Sequence, residues 1–303
     1  MGLDQTYTIL RFINPDFAIA KSARRADRLD PSSKGLGRSN LARQGNPEQI
    51  SNAKIGIKSE RDSLNGYGIS VLDLKNADVD IKSKRRNGEA SIQYVDKFLE
   101  LYKKGLTSIL VTGPISKESI KLVKPSFMGH TEYLAAKTNT KDYAMMFVGG
   151  PRPTNSRSGG PFNVALLTTH IPLKDVPKNI SKKIIFSKVK LINDFFKIYY
   201  KKLKPVIGVA GLNPHCGEGG KIGREEGAVI KPSCEALRRK GFNVIGPLSS
   251  EALFYDAYRG KFDIILCMYH DQGLTSLKMI ARNELVNVTL GLPFVRTSPA
   301  HGT

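Results

Sequence analysis

The stretch "FDIILCMYHDQG", residues 262–273, runs from the apolar residues Ile264–Cys267 into a polar trio, His270, Asp271 and Gln272. A short apolar run bounded by polar residues reads as a buried strand. Its end is either an ordinary turn or the delivery of a reactive group to a site. The surrounding chain repeats the pattern. "SIQYVDKFLELYKKG" reads as a helix closed by Gly105, followed by the apolar run "LTSILVTGPIS". "HTEYLAAKTNT" opens a helix and "YAMMFVGG" a strand; "FNVALLTTHIP" and "PVIGVAGLNPH" are further strands. "GREEGAVIKPSCEALRRKG" reads as a helix, and "FNVIGPLSSEALF" continues the alternation up to residue 262. Short strands separated by helices imply right-handed crossovers and an α/β fold with a largely parallel sheet. No internal repeat is visible.

Residues 1–50 are arginine-rich and weakly periodic, and "RRADRLDPSSKGLGRSNLARQGNPEQ" reads as loop or poorly ordered chain. "GGPRPTNSRSGGPF", 149–162, reads as an exposed loop between strands. The 303 residues suffice for one large α/β domain or two lobes. No run of 18 apolar residues exists, and the N-terminus lacks the apolar core of a secretory signal. Three cysteines without a CxxC pair point to a reducing cytoplasm. The formal charge of +20 concentrates in 181–204, where Ile184, Ile185, Val189, Ile192, Phe196 and Tyr199 recur at helical spacing. That pattern is an amphipathic surface helix showing lysines to water, and no nucleic-acid-binding motif accompanies it. Neither a nucleic-acid partner nor a membrane is expected.

Of five histidines, His170, His215 and His270 each stand at or just past the end of a strand, 45 and 55 residues apart. Ligands bind outside the carboxyl ends of open parallel sheets. Three neutral imidazoles brought there by the fold can hold a divalent metal and leave positions for substrate. The plain alternative is that each histidine only closes a loop. His130 and Thr131 stand at a helix start in "MGHTEYLA", suited to a phosphate or carboxylate; the alternative is that Thr131 merely caps that helix. "GLNPHCGEGGKIGREE", 211–226, is dense in glycine, permitting close backbone approach to a ligand. Lys117, Lys278, Asn287 and Arg296 add cations and an amide for an anionic substrate, though each alone reads as a solvated surface group.

Taken in order, "TGPISKE", "GHTEYLA", "LLTTHIPLKDVP", "GLNPHCGEGGKIGREE", "MYHDQGLTSLK" and "VNVTLGLPFVRTSPAHGT" resemble the 4-hydroxythreonine-4-phosphate dehydrogenase (PdxA) family of the vitamin B6 pathway. The resemblance covers roughly residues 88–303. It implies a two-lobed α/β/α homodimer related to isocitrate and isopropylmalate dehydrogenases, with an active site completed by the neighbouring subunit. The implied lobes are 1–128 plus 290–303 and 129–289.

By the same resemblance His170, His215 and His270 are metal ligands, for zinc, cobalt or magnesium. His130, Thr131, Lys278, Asn287 and Arg296 are substrate-binding positions, Lys278 doubling as a catalytic residue, and His301 lies at the NAD site. The implied reaction is NAD-dependent oxidation of the C3 hydroxyl of 4-phosphohydroxythreonine, followed by loss of carbon dioxide to give 3-amino-2-oxopropyl phosphate for pyridoxal 5'-phosphate synthesis. Asp271 is the candidate for orienting a ligand imidazole or moving a proton. Three features depart from the family pattern. Residues 1–50 lack its "GDPxGIGPE"-like loop, "SPAHGT" is where the family continues through "AFDIAG", and Ala300 replaces a usual aspartate. The first leads to an expectation of exposed sheet edge, the second of weakened NAD binding, and the third removes a carboxylate beside His301. Rival readings are a 4-phosphothreonate or 4-phosphoerythronate dehydrogenase and a remnant that binds only metal and phosphate.

Overall fold

The computed structural model describes residues 55–58, 69–72, 83–150, 160–281 and 284–300. The expectations for residues 1–50, for most of the 149–162 loop and for His301 lie outside these described residues. Strands β1 (Ile55–Lys58) and β2 (Ile69–Leu72) pair in parallel as a small sheet of their own. The chain continues through α1 (Lys84–Lys103), β3 (Ile109–Val111), α2 (Lys117–Lys121), α3 (His130–Lys137), β4 (Ala144–Gly149) and β5 (Phe162–Leu166). There follow α4 (Lys182–Tyr199), β6 (Ile207–Ala210), α5 (Lys231–Arg239), β7 (Val244–Leu248), α6 (Ser250–Tyr258) and β8 (Ile264–Cys267). The last elements are α7 (His270–Ala281), β9 (Val286–Leu290) and β10 (Val295–Pro299).

The eight-stranded sheet has the order β3-β10-β9-β4-β5-β8-β6-β7. Its right half, β5-β8-β6-β7, is wholly parallel. Toward the other edge it is mixed: β4 runs antiparallel to β5 and β9, and β10 antiparallel to β9 but parallel to β3. Connection length explains the reversal at β10. Only residues 291–294 separate β9 from β10, and a parallel return needs a crossover of a dozen residues or more.

Contacts group Ile109–Ile115 and the described residues from Met128 onward into one compact unit. The earlier described residues up to Ser108, with Ser116–Phe127, form another. By this grouping β3 and β10, which the resemblance assigns to the first lobe, lie in one contact unit with residues 129–289.

Two apolar layers cover the sheet of the larger unit. On one face α4 contributes Ile185, Val189, Ile192, Phe195 and Phe196 to a cluster with Val209, Leu266 and Val288. The expected stripe is largely observed, but Ile184 and Tyr199 are only half-buried, and Phe195, absent from that stripe, is buried. On the other face, Leu274, Leu277 and Ala281 of α7 pack with Phe147, Phe162, Val164 and Leu166. In the smaller unit, α1 begins at Lys84, seven residues before the expected start. The segment "KRRNGEA" has no apolar period to announce a helix, yet Ser83 caps it by accepting from the Arg86 N–H at 3.4 Å. Among the described residues no helix is long and apolar enough to cross a membrane.

Candidate active site

Strands β5, β8 and β6 are adjacent and parallel, so their carboxyl ends lie side by side. His170, His270 and His215 follow those three ends. His170 is exposed and His270 half-buried, with ring centroids 5.5 Å apart at 48°. Two imidazoles bound through nitrogens to one tetrahedral ion carry their centroids about 5 Å apart, a spacing close to that of this pair. The Asp271 carboxylate lies 2.6 Å from His270 Nδ1, which leaves Nε2 as the nitrogen available to a ligand. Asp271 itself is exposed at the first turn of α7.

His215 does not join the pair: among the described residues no three His, Cys, Asp or Glu side chains stand close enough together to hold a metal. The expected three-histidine cluster is here two histidines together and one apart. The reason lies in the backbone. From His215 through Gly219 every residue has positive φ, three of them not glycine: His215 (50°), Cys216 (53°) and Glu218 (44°). Such left-handed geometry costs roughly 1–2 kcal/mol per non-glycine residue. Glu226, 4% exposed, offsets it. One carboxylate oxygen accepts from the N–H groups of Leu212 (2.7 Å) and Asn213 (2.6 Å), the other from Asn213 Nδ2 (2.9 Å). Hydrogen bonds to a charged group are worth roughly 1.5–3 kcal/mol each, enough to exceed the strain. Burial pushes the Glu226 carboxyl up, but the Asn213 and Leu212 donors outweigh it and hold it below its ordinary value. Gly217 and Gly223 are required here: a Cβ on either would meet Glu226 Oε2 at 2.8 Å or Asn213 Nδ2 at 2.2 Å.

A second buried amide joins the strand ends. Gln272 Oε1 accepts from the Met268 N–H (2.6 Å), while Nε2 donates to the Gly211 carbonyl (2.7 Å) and to Ser250 Oγ (2.8 Å). It thereby ties the end of β8 to the end of β6 and to the start of α6. Thr168 makes the matching tie from β5, its N–H and Oγ1 both donating to the Met268 carbonyl (3.2 and 2.7 Å). Sequence reading gave Gln272, Glu226, Asn213 and Thr168 no role; the only local signal was the polar, glycine-dense character of their segments.

The remaining candidates divide. Asn287 and Thr289 of β9 pair with Ser298 and Arg296 of β10, and Asn287 also pairs with Phe147 of β4. Directly paired residues point to one face, and Phe147 packs under α7, so Asn287 and Arg296 face the α7 side. Arg296 is 4% exposed. Its Nη1 donates to Thr289 Oγ1 (3.1 Å) and its Nη2 to Thr112 Oγ1 (2.7 Å). Among the described residues Arg296 Nε and Asn287 Oδ1 are buried without partners. Burial lowers the Arg296 pKa to about 10, and the charge of Glu132 in the first turn of α3 acts against that shift. A buried guanidinium with only neutral partners is costly, and an incoming anion would offset that cost.

Alongside Glu132, His130 is half-buried and Thr131 buried in α3. Gly129 caps that helix without a side-chain bond, so Thr131 is not the cap. Lys278 is exposed in the last turn of α7, and Lys117 is exposed at the start of α2 in the smaller unit. The sequence expected a solvated surface group as the plain alternative for Arg296; the structure buries it instead.

A mixed α/β sheet with polar and titratable groups gathered at the carboxyl edge of its parallel strands defines an α/β protein with its ligand face at that edge. The chain belongs to the family described as Pyridoxal phosphate biosynthetic protein PdxA, whose model matches residues 31–303. A 4-hydroxythreonine-4-phosphate dehydrogenase of Sulfurihydrogenibium sp. is 42% identical over 248 residues, 82% of this chain and 73% of that protein. The enzyme of that name from Aquifex aeolicus is 42% identical over 237 residues, 78% of this chain and 70% of its own. The enzyme of that name from Desulforapulum autotrophicum is 41% identical over 216 residues, 71% of this chain and 61% of its own. A solved structure of 4-hydroxythreonine-4-phosphate dehydrogenase from Klebsiella pneumoniae is similar at TM-score 0.70 and 31% identity, covering 88% of this chain and 79% of that one.

Replacing Gln272 by leucine strands the Met268 N–H and the Gly211 carbonyl at about 1–3 kcal/mol each; urea unfolding is expected to show a loss of that order. Arg296→Met removes a buried charge whose hydrogen-bond partners are both neutral hydroxyls, so its melting temperature is expected to hold or rise while affinity for inorganic phosphate, measured by calorimetry, falls at least tenfold.

Proposed function

We propose that this chain is an NAD- and divalent-metal-dependent dehydrogenase that oxidises 4-phosphohydroxy-L-threonine at C3, the product then losing carbon dioxide to give 3-amino-2-oxopropyl phosphate for pyridoxal 5'-phosphate synthesis. It acts as a cytoplasmic homodimer whose active site is shared between subunits. Family membership supports the substrate class. The observation that carries the chemistry is the imidazole pair His170–His270, with Asp271 bracing one ring.

His170 and His270 would hold the metal through neutral imidazoles, the donors that zinc or cobalt prefers; His215, the third ligand that the family resemblance implies, stands apart from the pair in this structure. When bound, the ion would supply Lewis acidity at the substrate hydroxyl and NAD would supply the hydride acceptor. The chain's own residues do the rest. Asp271, 2.6 Å from His270 Nδ1, fixes the tautomer so that Nε2 faces the site. Its exposure lets it pass a proton to solvent. Arg296 is held by Thr112 and Thr289 with its Nε–H unpaired, and it offers a directional, charge-assisted bond to the substrate's anionic end. Asn287 Oδ1 stands as an acceptor on the same face. His130, Thr131 and Lys278 complete the substrate contacts, Lys278 supplying a mobile cation.

The test is NADH formation from 4-phosphohydroxythreonine with added zinc, cobalt or magnesium. Wild-type protein is expected to turn over with at least one of these ions, and His270→Ala to lose at least a hundredfold in kcat/KM. Folded wild-type protein that reduces no NAD with any of them would overturn the proposal.

A further inference from the structure

A cavity of about 820 Å³ opens beside the glycine-dense loop, and none of the candidate site residues lines it. That volume is in the range of small-molecule sites. Three exposed cations line it, Arg224, Lys231 and Arg238, each seven residues from the next. A π-helical turn, Glu226–Ile230, runs straight into α5 between the first two. Seven residues are close to two helical turns, so Lys231 and Arg238 share one face of α5, about 10 Å apart along its axis. Single π turns are rare and concentrate at functional sites. This one buries Glu226 and Ile230 and leaves Gly227 and Ala228 on the cavity wall. A Cβ added at Gly219, Gly220 or Gly227 would meet nothing within 4 Å, so the backbone there is open to a ligand.

Among the described residues no carboxylate pairs with Arg224, Lys231 or Arg238. Arg238 Nη1 donates to the Val244 carbonyl at 3.2 Å, which holds the guanidinium in place. Glu226 also lines the cavity, but its oxygens are taken by the Leu212 and Asn213 donors, and Glu225 accepts from Asn213 Nδ2. Three uncompensated cations on a chain of net charge +20 repel one another, and a polyanion relieves that repulsion. We infer that this cavity binds a phosphate chain, free or carried by a nucleoside. A single phosphate meets one or two of the cations, whereas a chain lies along the helix face and meets all three. Arg224 and Arg238 offer bidentate, charge-assisted bonds, and Lys231 a point charge between them. Ala228 and Pro247 give the wall apolar surface for a nucleoside. The site is separate from Arg296 and does not depend on the proposed dehydrogenase activity.

The cavity carries its own reporter. Cys216 lines it and is half-buried, whereas Cys234 and Cys267 are fully buried, so neutral iodoacetamide labels Cys216 first in native protein. Tripolyphosphate and ATP are titrated separately into full-length Arg296→Met protein at fixed ionic strength, with orthophosphate as reference; if that variant does not fold, wild type is used and Cys216 labelling carries the readout. Tripolyphosphate at ten times its Kd is expected to slow Cys216 labelling about tenfold, and to bind more tightly than orthophosphate by calorimetry. ATP binding no tighter than tripolyphosphate assigns the site to the phosphate chain alone, and tighter ATP binding adds the nucleoside; both support the inference. Arg224→Ala and Lys231→Ala, at exposed positions, are each expected to weaken binding about tenfold, the loss of one hydrogen bond to a charged group. Replacing Lys182 and Lys183 of α4, outside the cavity, by alanine is expected to leave it unchanged. Equal weakening by the α4 changes means attraction to net charge only and overturns the inference. So does binding that leaves Cys216 labelling unchanged, or the failure of both tripolyphosphate and ATP to bind.

Discussion

Between β8 and β6 the amide of Gln272 makes three hydrogen bonds in one buried place: its oxygen accepts from the Met268 N–H, and its two hydrogens go to Gly211 and Ser250. Strands end where the ladder ends, and the loops beyond them are normally the least constrained part of an α/β protein. Here the constraint continues past the sheet. Thr168 ties β5 to β8 through the Met268 carbonyl, Gln272 ties β8 to β6 through the Gly211 carbonyl, and Glu226 ties the residues after Gly211 to the body of the protein. Each histidine-bearing segment thus leaves the sheet from a fixed point. Because these bonds are buried, each unmade partner would cost about as much as a core truncation, which keeps the three exits in one arrangement.

The same economy governs the anion end. Arg296 is placed by β10 pairing with β9 and β3, and Thr112 and Thr289 arrive from its two flanking strands, β3 and β9. Two hydroxyls orient the guanidinium without neutralising it. The site therefore holds a buried charge that an anionic ligand would relieve, a preorganised arrangement of the kind that favours anion binding.

The histidines were legible in the sequence because their signal is local: an apolar run, then His170, His215 or His270. The start of α3 and the helix α4 were legible too, α4 because its apolar period is written in adjacent residues. Glu226 and Gln272 were not, since a glutamate and a glutamine beside a helix start look like solvent-facing groups until the fold buries them. Their partners lie 13 and 61 residues away. Nor was the left-handed run legible, because the glycines of 211–226 read only as room for close backbone approach to a ligand, while His215, Cys216 and Glu218 give no hint of positive φ. The mixed half of the sheet was hidden in connection lengths and not in strand composition, which is alike in parallel and antiparallel strands here.

The central claim is that buried side-chain clamps, not the backbone ladder, hold the histidine-bearing exits rigid. Native-state hydrogen exchange of the Met268, Leu212 and Asn213 amides tests it most directly. These three N–H groups are donated to side chains, to Gln272 and Glu226. The account predicts that they exchange as slowly as the amides of β6 and β8, through global unfolding. Exchange through local opening, at rates typical of surface loops, would contradict it.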